Sequence, residues 1–595
     1  MIRTLFLTAA ILATTEVRAE NLVNLPAPKG AAKVVPAPQD WAKEQAARRA
    51  EVRAYLAQHQ RAYEWFSSFP FSQTDGFPMV LLRLVPDVAP EIWGDGPFGA
   101  SFGLFPRDAS DTLPLPVGIG LSGWAADAPG PIDYTSFTCG ACHIGRVETE
   151  EGLVHIVGGV NSEFNIVKFF VDMAKTVEAA ADGTTGDERV KVITARFVQA
   201  AKDKAASDPH YFYGNSAWGE KSFDAAYEAA QVKAYLDNAD ALTEHFVTYV
   251  DAFAAVFETY LDKTYEGYQS NMLAGLPGMA DATGVSAAHG YETMEGKLLG
   301  RLIAKEILPD HPGLTDFMVV WDQDARTARW NDDGSLLVDG GGQYNGNIPI
   351  PIYRNLAASM TMGLDNTDVR VAAFSQEFLG GLPPAPYPFD IDEGLAAEGQ
   401  ALFQDNCADC HQPNNGTVYR NLGTDPSRSY VINKLLHAGA QQEYLEVCNP
   451  DTVVTLYEAP VKPCAEFEGR PITKDDIMRP LNEQHGGYNA TRLAGIWAAA
   501  PYLHTGSVPT IWHLLIPGER PDRFVKSALN YDVEKLGFAW DDTAKGGYVF
   551  DTTAFHAITK AGHDTDVTMD GKTYRLDWTS NPDGARAIIE YLKGL

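Results

Sequence analysis

Cys407-Ala408-Asp409-Cys410-His411 sets two thiols three residues apart, with an imidazole directly after the second. That spacing suits covalent haem attachment. Each thiol adds across one vinyl group on the same haem edge, and the adjoining histidine is held under the iron as its proximal ligand. The pattern occurs again at Cys139-Gly140-Ala141-Cys142-His143. A zinc knuckle or a redox dithiol explains paired cysteines, but not an abutting histidine in both copies. The chain therefore reads as carrying two haem c groups. Cys139, Cys142, Cys407 and Cys410 are the attachment points, and His143 and His411 are the proximal iron ligands.

Haem c matures outside the cytoplasm, and the N-terminus fits export. Arg3 opens a short basic region, Leu5 to Leu12 form an apolar core, and Val17-Arg18-Ala19 resembles an A-x-A cleavage site, so residues 1–19 read as a signal peptide. A periplasmic or secreted location follows. No later stretch reaches about eighteen uninterrupted apolar residues, so no membrane span is expected. Two cysteines remain, Cys448 and Cys464, among Pro450, Pro460 and Pro463. In an oxidising compartment they read as a disulfide stapling a loop, which contributes about 3 kcal/mol at that loop length. The formal charge is −31, from 78 acidic against 47 basic residues. Such a surface repels nucleic acid and anionic membranes and is compatible with a basic redox partner.

The elements that must position the motifs are mainly helical. Residues 20–38 form a Pro/Ala tether with Pro26, Pro28, Pro36 and Pro38. Trp41, Ala47, Val52 and Leu56 have helical spacing, whereas Phe66 to Phe137 reads as loops and short turns. Val154 to Gly159 reads as a short strand or turn. Residues 164–265 read as long helices, with Phe246, Val250, Phe253 and Val256 on one face. Periodicity fades over 266–345, a loop region long enough to serve a site. Asp392 is placed to cap a helix carrying Leu395, Gly399 and Phe403 to Cys407. Asn581 and Pro582 open a last helix with Ile588, Ile589, Tyr591 and Leu592 on its apolar face. Gly399 permits the two helices to cross closely. The expected fold class is mainly α: two cytochrome c-type haem domains with long loops and a large helical insertion. The N-terminal haem domain covers 39–385 and the C-terminal cytochrome c domain 386–595.

This order resembles the di-haem cytochrome c peroxidases and the related MauG-type enzymes, most closely their rubber-oxygenase branch. Beyond the haem motifs, three stretches carry the resemblance. One runs from Gly495-Ile496-Trp497 through Pro501-Tyr502-Leu503-His504-Thr505-Gly506 to Pro509-Thr510. Another is Gln343-Tyr344-Asn345-Gly346-Asn347 with Arg354-Asn355, and the third is Ala561-Gly562-His563. The likeness covers about Phe137 to Gly159 and Gln343 onward, and is weak across the helical insertion. It implies a reactive N-terminal haem over His143, meeting O2 or H2O2, and a six-coordinate C-terminal haem that transfers electrons. It also implies His563 as the far ligand of the second iron, with His556, Met569 and His504 as rivals. His504 reads better as ordering the haem surroundings through hydrogen bonds. Trp321, Trp330 and Tyr344 are candidates for an aromatic bridge between the haems.

Distal chemistry separates the functions in play. Peroxide cleavage wants a polar acid or base near the bound oxygen, for which Glu163 is a candidate. Alkene cleavage with O2 wants a dry apolar pocket, which Met360, Met362 and Phe374 are candidates to line. His155, between Val154 and Ile156, reads as a buried structural histidine. The expectation is a haem-dependent oxidoreductase that oxidises a substrate, an apolar unsaturated one in the oxygenase case. The alternatives are a peroxidase fed by a small redox protein, and a plain electron-transfer cytochrome.

Overall fold

Helices dominate, joined by loops and two-stranded ribbons. The computed structural model describes residues 40–595 apart from 72–75, 108–114, 123–131, 215, 219–220, 261–275, 296–306, 308–312, 325–328, 331–335, 338–347, 364–366, 412–417, 421, 433 and 479–486. The expected signal peptide and tether, and Tyr344, lie outside the described residues. Among the described residues, no helix is long and apolar enough to cross a membrane.

Helix α1 (Trp41–Gln58) starts at Asp40, whose side chain accepts the Lys43 N–H at 2.8 Å. It binds the opposite end of the chain: the Trp41 N–H donates to Glu393 at 3.0 Å, and Arg48 donates to the Gly594 carbonyl at 2.6 Å. Helix α2 (Gln60–Ser68) precedes strand β1 (Phe77–Pro78) and helix α3 (Met79–Val88). Strands β2 (Ile119–Ser122) and β3 (Tyr134–Phe137) complete an antiparallel sheet of order β1-β3-β2, with Phe77 opposite Thr135 and Ile119 opposite Phe137. The loops expected between Phe66 and Phe137 thus include a helix. Met79, Val80, Leu81, Leu82, Leu84 and Val85 are all buried. With ten residues the helix makes under three turns, too few for its one polar face, Arg83 and Asp87, to establish a period, and Pro78 and Pro86 disguise its ends.

Strand β3 delivers the chain to α4 (Gly140–His143), the turn of the first motif. Strands β4 (Ile144–Thr149) and β5 (Gly152–Val157) follow as a hairpin in which Arg146 pairs with His155. His155 is therefore a half-buried strand residue rather than a buried one. The insertion consists of α5 (Ile166–Ala181), α6 (Asp187–Ser207), α7 (Ala225–Asp237) and α8 (Ala239–Thr259). Its aromatic faces interlock: Phe253 stacks on Phe170 at 4.0 Å and 10°. Helix α9 (Ala282–Glu295) falls where periodicity was expected to be lost. Asp281 opens it by accepting the Gly284 N–H at 2.8 Å. Its Thr283, Val285 and two glycines are weak helix formers, so packing sets the conformation.

Between α9 and α10 (Pro351–Gly363), residues 314–322 form an extended strap. Helix α11 (Val369–Gly380) packs on α2, with Phe374 stacked on Trp65 at 4.8 Å. Helix α12 (Glu393–Asn406) is capped by Asp392, which accepts the Leu395 N–H at 2.9 Å, and leads into α13 (Ala408–His411). Helix α14 (Lys434–Val447) ends beside Cys448, which is bonded to Cys464 with Cα atoms 5.9 Å apart. Strands β6 (Arg523–Lys526) and β7 (Tyr548–Asp551) pair antiparallel before the last helix, α15 (Pro582–Lys593).

Two contacts fix the relation of these parts. Helix α12 crosses α15 at Gly399, where an added Cβ would lie 1.9 Å from the Ala587 carbonyl oxygen. The Phe403 and Tyr591 rings meet at 5.2 Å beside that crossing. The strap is tied to β6 by Asp316 and Lys526, 3.4 Å apart with side chains 2% and 0% exposed. Burial raises the Asp316 carboxyl to about 6 against the pull of Lys526 and lowers the Lys526 ammonium. Gly399→Ala should cost about 1–3 kcal/mol in denaturant unfolding by forcing the helices apart. Lys526→Met should cost about 3–5 kcal/mol by stranding a buried carboxylate, and adding Asp316→Asn should recover much of that loss. Equal stability of the single and double variants would show that the pair does not tie the strap.

Candidate haem sites

Helix α12 carries the chain to Cys407, and α13 turns His411 inward. The His411 ring is half-buried, and its Nδ1 lies 2.7 Å from the Thr491 carbonyl oxygen. An Nδ1–H donated there leaves the Nε2 lone pair for a metal. Burial lowers the His411 pKa, which favours the neutral ring. Cys407, Cys410 and His411 line a cavity of about 230 Å³, walled by apolar side chains such as Phe403, Leu422, Leu515, Ile588 and Leu592.

His563 lines the same cavity. Its N–H donates to the Leu422 carbonyl at 2.6 Å, and its backbone is left-handed at φ 55°. Its Nδ1 is buried with no hydrogen-bond partner. Burial, with the nearby His411 and Arg520 charges, brings its pKa down to about 4. Two thiols, the His411 ring, a second neutral imidazole available from His563 or His504, and apolar walls in one cavity fit a covalently attached haem. His504 also lines the cavity, stacked on Tyr488 at 4.8 Å, and burial lowers it to about 4. His556 is exposed, and Met569 is half-buried outside the cavity lining.

The first motif is braced from several directions. Asn161 donates from its side chain to the Ala141 carbonyl at 2.9 Å and from its backbone to the Cys142 carbonyl at 2.9 Å. The Gly158 N–H donates to the His143 carbonyl at 2.9 Å. Cys139 Sγ lies 3.5 Å from Ser375 Oγ on α11. His143 Nδ1 lies 3.0 Å from the Met318 carbonyl oxygen, so its Nε2 is left for a metal as at His411. Burial outweighs that bond and lowers His143 to about 4. Phe317 meets the His143 ring at 6.3 Å and packs on Phe164.

Met318 belongs to the strap, and the strap faces both sites. Phe317, Met318 and Val319 also wall the cavity that contains His411. The Asp316 N–H donates to the His504 carbonyl at 2.8 Å, and the Val320 N–H donates to Gly158 at 2.8 Å. Trp321 is fully buried, and its indole N–H donates to the Ala494 carbonyl at 3.0 Å. It therefore stands three residues from Met318, which anchors His143, and touches the segment three residues beyond Thr491, which anchors His411.

The other candidates separate. Glu163 accepts from Arg146 at 2.7 Å, with side chains 11% and 18% exposed, and Arg146 lies over the Phe105 ring. It is the carboxylate of an ion pair, not the free acid or base expected beside His143. Phe374 is committed to stacking on Trp65 and to an edge contact with Tyr457 at 5.2 Å, which makes it core rather than pocket wall. Met360 is half-buried on α10. Trp330 lies on the Arg329–Trp330 strand, and its side chain, like that of Met362, falls outside the described residues. Sequence reasoning missed Met318 and Thr491, which act through carbonyls that any residue possesses. It also passed over Asn161, two residues before Glu163.

Comparison with known proteins agrees with this chemistry. A cytochrome c family model matches residues 396–447, across α12, the second motif and α14. A RoxA-like, cytochrome c-like model matches 487–525, which contains Thr491, His504 and Arg520. A Y4iN-like domain matches 61–143 and ends on the first motif's histidine. Three uncharacterised proteins of Sinorhizobium fredii are similar. Protein y4iM is 37% identical over 308 residues, 48% of this chain and 66% of its own length. Protein y4iJ is 31% identical over 259 residues, 36% of this chain and 42% of its own. Protein y4iN is 40% identical over 95 residues, 16% of this chain and 43% of its own. The chain thus spans just under two thirds of y4iM and less than half of the other two. The chain contains cytochrome c domains, which carry covalently bound haem c and place it among haem electron-transfer or oxidoreductase proteins.

Proposed function

We propose that the protein is a periplasmic di-haem oxidoreductase of the rubber-oxygenase type. In this reading Cys139, Cys142 and His143 hold a reactive haem, and Cys407, Cys410, His411 and His563 hold a six-coordinate electron-transfer haem. The observation that carries it is the strap. Its Met318 carbonyl orients His143, its Phe317 to Val319 wall the His411 cavity, and its Trp321 indole donates to the Ala494 carbonyl, three residues beyond the Thr491 that anchors His411. Bound haem supplies a one-electron couple at both sites and, where an axial position is open, reactivity toward O2 or H2O2.

The chain's own groups set the division of labour. Histidines in one cavity suit an iron that only changes charge. Phe317 meets the His143 ring and packs on Phe164, so the proximal side of this site is apolar; the RoxA-like match is what favours an O2-dependent reaction on an apolar, unsaturated substrate. Peroxide cleavage needs a proton-transfer group, and Glu163 is neutralised by Arg146. The RoxA-like match supports the same branch. The Cys448–Cys464 disulfide and the export-type N-terminus support an extracytoplasmic location.

The test is a set of EPR and optical spectra of the purified protein, before and after exposure to O2 and to H2O2. The expected result is one low-spin bis-histidine signal that stays inert, and a second haem that is high spin or changes its Soret band with O2. Reaction with H2O2 only after one-electron reduction would make the protein a peroxidase. Two inert low-spin haems would make it an electron carrier.

A further inference from the structure

Arg520 follows the short Pro517–Glu519 turn, and its side chain is 2% exposed. Its Nε donates to the His513 carbonyl at 2.9 Å. Its Nη1 donates to the Lys560 and Gly562 carbonyls at 2.6 and 2.9 Å. Its Nη2 donates to the Leu514 and His563 carbonyls at 3.0 and 3.3 Å. A guanidinium has five N–H groups. Here each meets a different carbonyl, and Asp564 stands farther off at 3.9 Å. The buried charge is thus met chiefly by backbone dipoles.

Those carbonyls come from two places. His513 and Leu514 belong to the helix Ile511–Leu515, whose Ile511, Leu514 and Leu515 wall the cavity. Lys560, Gly562 and His563 belong to the loop that brings His563 to it. That loop does not adopt its shape freely. Gly562 has φ 118° and His563 φ 55°, and a residue other than glycine is strained in the left-handed region. Gly562 also stands hard against Thr424: an added Cβ would lie 2.0 Å from its Oγ1 and 2.8 Å from its Cα. The loop is latched once more where Lys560 Nζ donates back to the Arg520 carbonyl at 2.7 Å.

We propose that Arg520 is the positioning residue of the C-terminal haem site: by gathering the Lys560, Gly562 and His563 carbonyls it fixes the strained loop that holds the His563 imidazole in the cavity with His411. The inference rests on the reading of His563 as the second axial ligand. Lysine cannot replace the guanidinium, because one ammonium offers three donors at a point rather than five in a planar fork.

The test compares holoprotein of Arg520→Lys, Arg520→Gln and His563→Ala. Readouts are haem content per chain, spin state by EPR and optical spectra, the midpoint potential of the C-terminal haem, and titration with free imidazole. His563→Ala should convert that haem to high spin with both haems still attached. Both Arg520 variants should keep two haems and show a high-spin fraction that imidazole returns to low spin. Each lost hydrogen bond should weaken ligation by about threefold to tenfold, so the Gln variant should be affected more than the Lys variant. Low-spin spectra and unchanged potentials in both Arg520 variants, beside a high-spin His563→Ala, would overturn the proposal and leave His563 as ligand. A low-spin His563→Ala would overturn the ligand reading and this inference with it. If neither Arg520 variant accumulates, Gly562→Ala disturbs the same loop from its other side. Imidazole-reversible high-spin haem there supports the proposal, and an unchanged spectrum overturns it.

Discussion

A proximal imidazole is held in place for a metal when its other ring nitrogen is committed to a fixed acceptor. At both motifs that commitment is to a backbone carbonyl: Met318 for His143 at 3.0 Å and Thr491 for His411 at 2.7 Å. The motifs themselves cannot supply these acceptors. They come from the strap and from the segment that the Trp321 indole touches through Ala494. The geometry of each site therefore depends on how the strap is seated, and the strap belongs to both. This is a tighter arrangement than two cytochrome domains joined by a linker.

Charges are buried where the chain must be located rather than where stability alone would put them. Asp316 and Lys526 pin the strap to β6 in a region with almost no solvent contact. Arg520 spends all five donors on carbonyls, three of them in the loop of His563. Both cases cost desolvation; five hydrogen bonds offset it at Arg520, whereas Asp316 keeps one buried oxygen, Oδ2, without a hydrogen bond, and removing one partner of either leaves an uncompensated polar group. The Arg146–Glu163 pair follows the same logic near the first motif. Beyond these locators the packing is apolar and heavily aromatic, from the Trp65–Phe374 stack to the Phe170–Phe253 stack of the insertion.

What was legible in the sequence was local. The two C-x-x-C-H runs, the Asp392 cap, the Asn581-Pro582 start and the glycine at the α12–α15 crossing each carry their reason within a few residues. Helix α3 was hidden because it is short and its apolar run lies between prolines. Helix α9 was hidden because its composition disfavours the helix that its surroundings impose. Glu163 looked available because its partner lies seventeen residues away across a hairpin. Arg520 gave no signal, since its five acceptors are carbonyls and three lie at least forty residues on. Main-chain acceptors such as Met318 leave no mark on side-chain chemistry.

The central claim is that one strap couples two haem sites. A potentiometric titration of the purified holoprotein, followed by EPR at each potential, tests it most directly. The account predicts that reduction of one haem shifts the midpoint or the EPR signal of the other, so that two independent one-electron waves do not fit the data. Two independent waves, with each signal unchanged as the other haem is reduced, would contradict it.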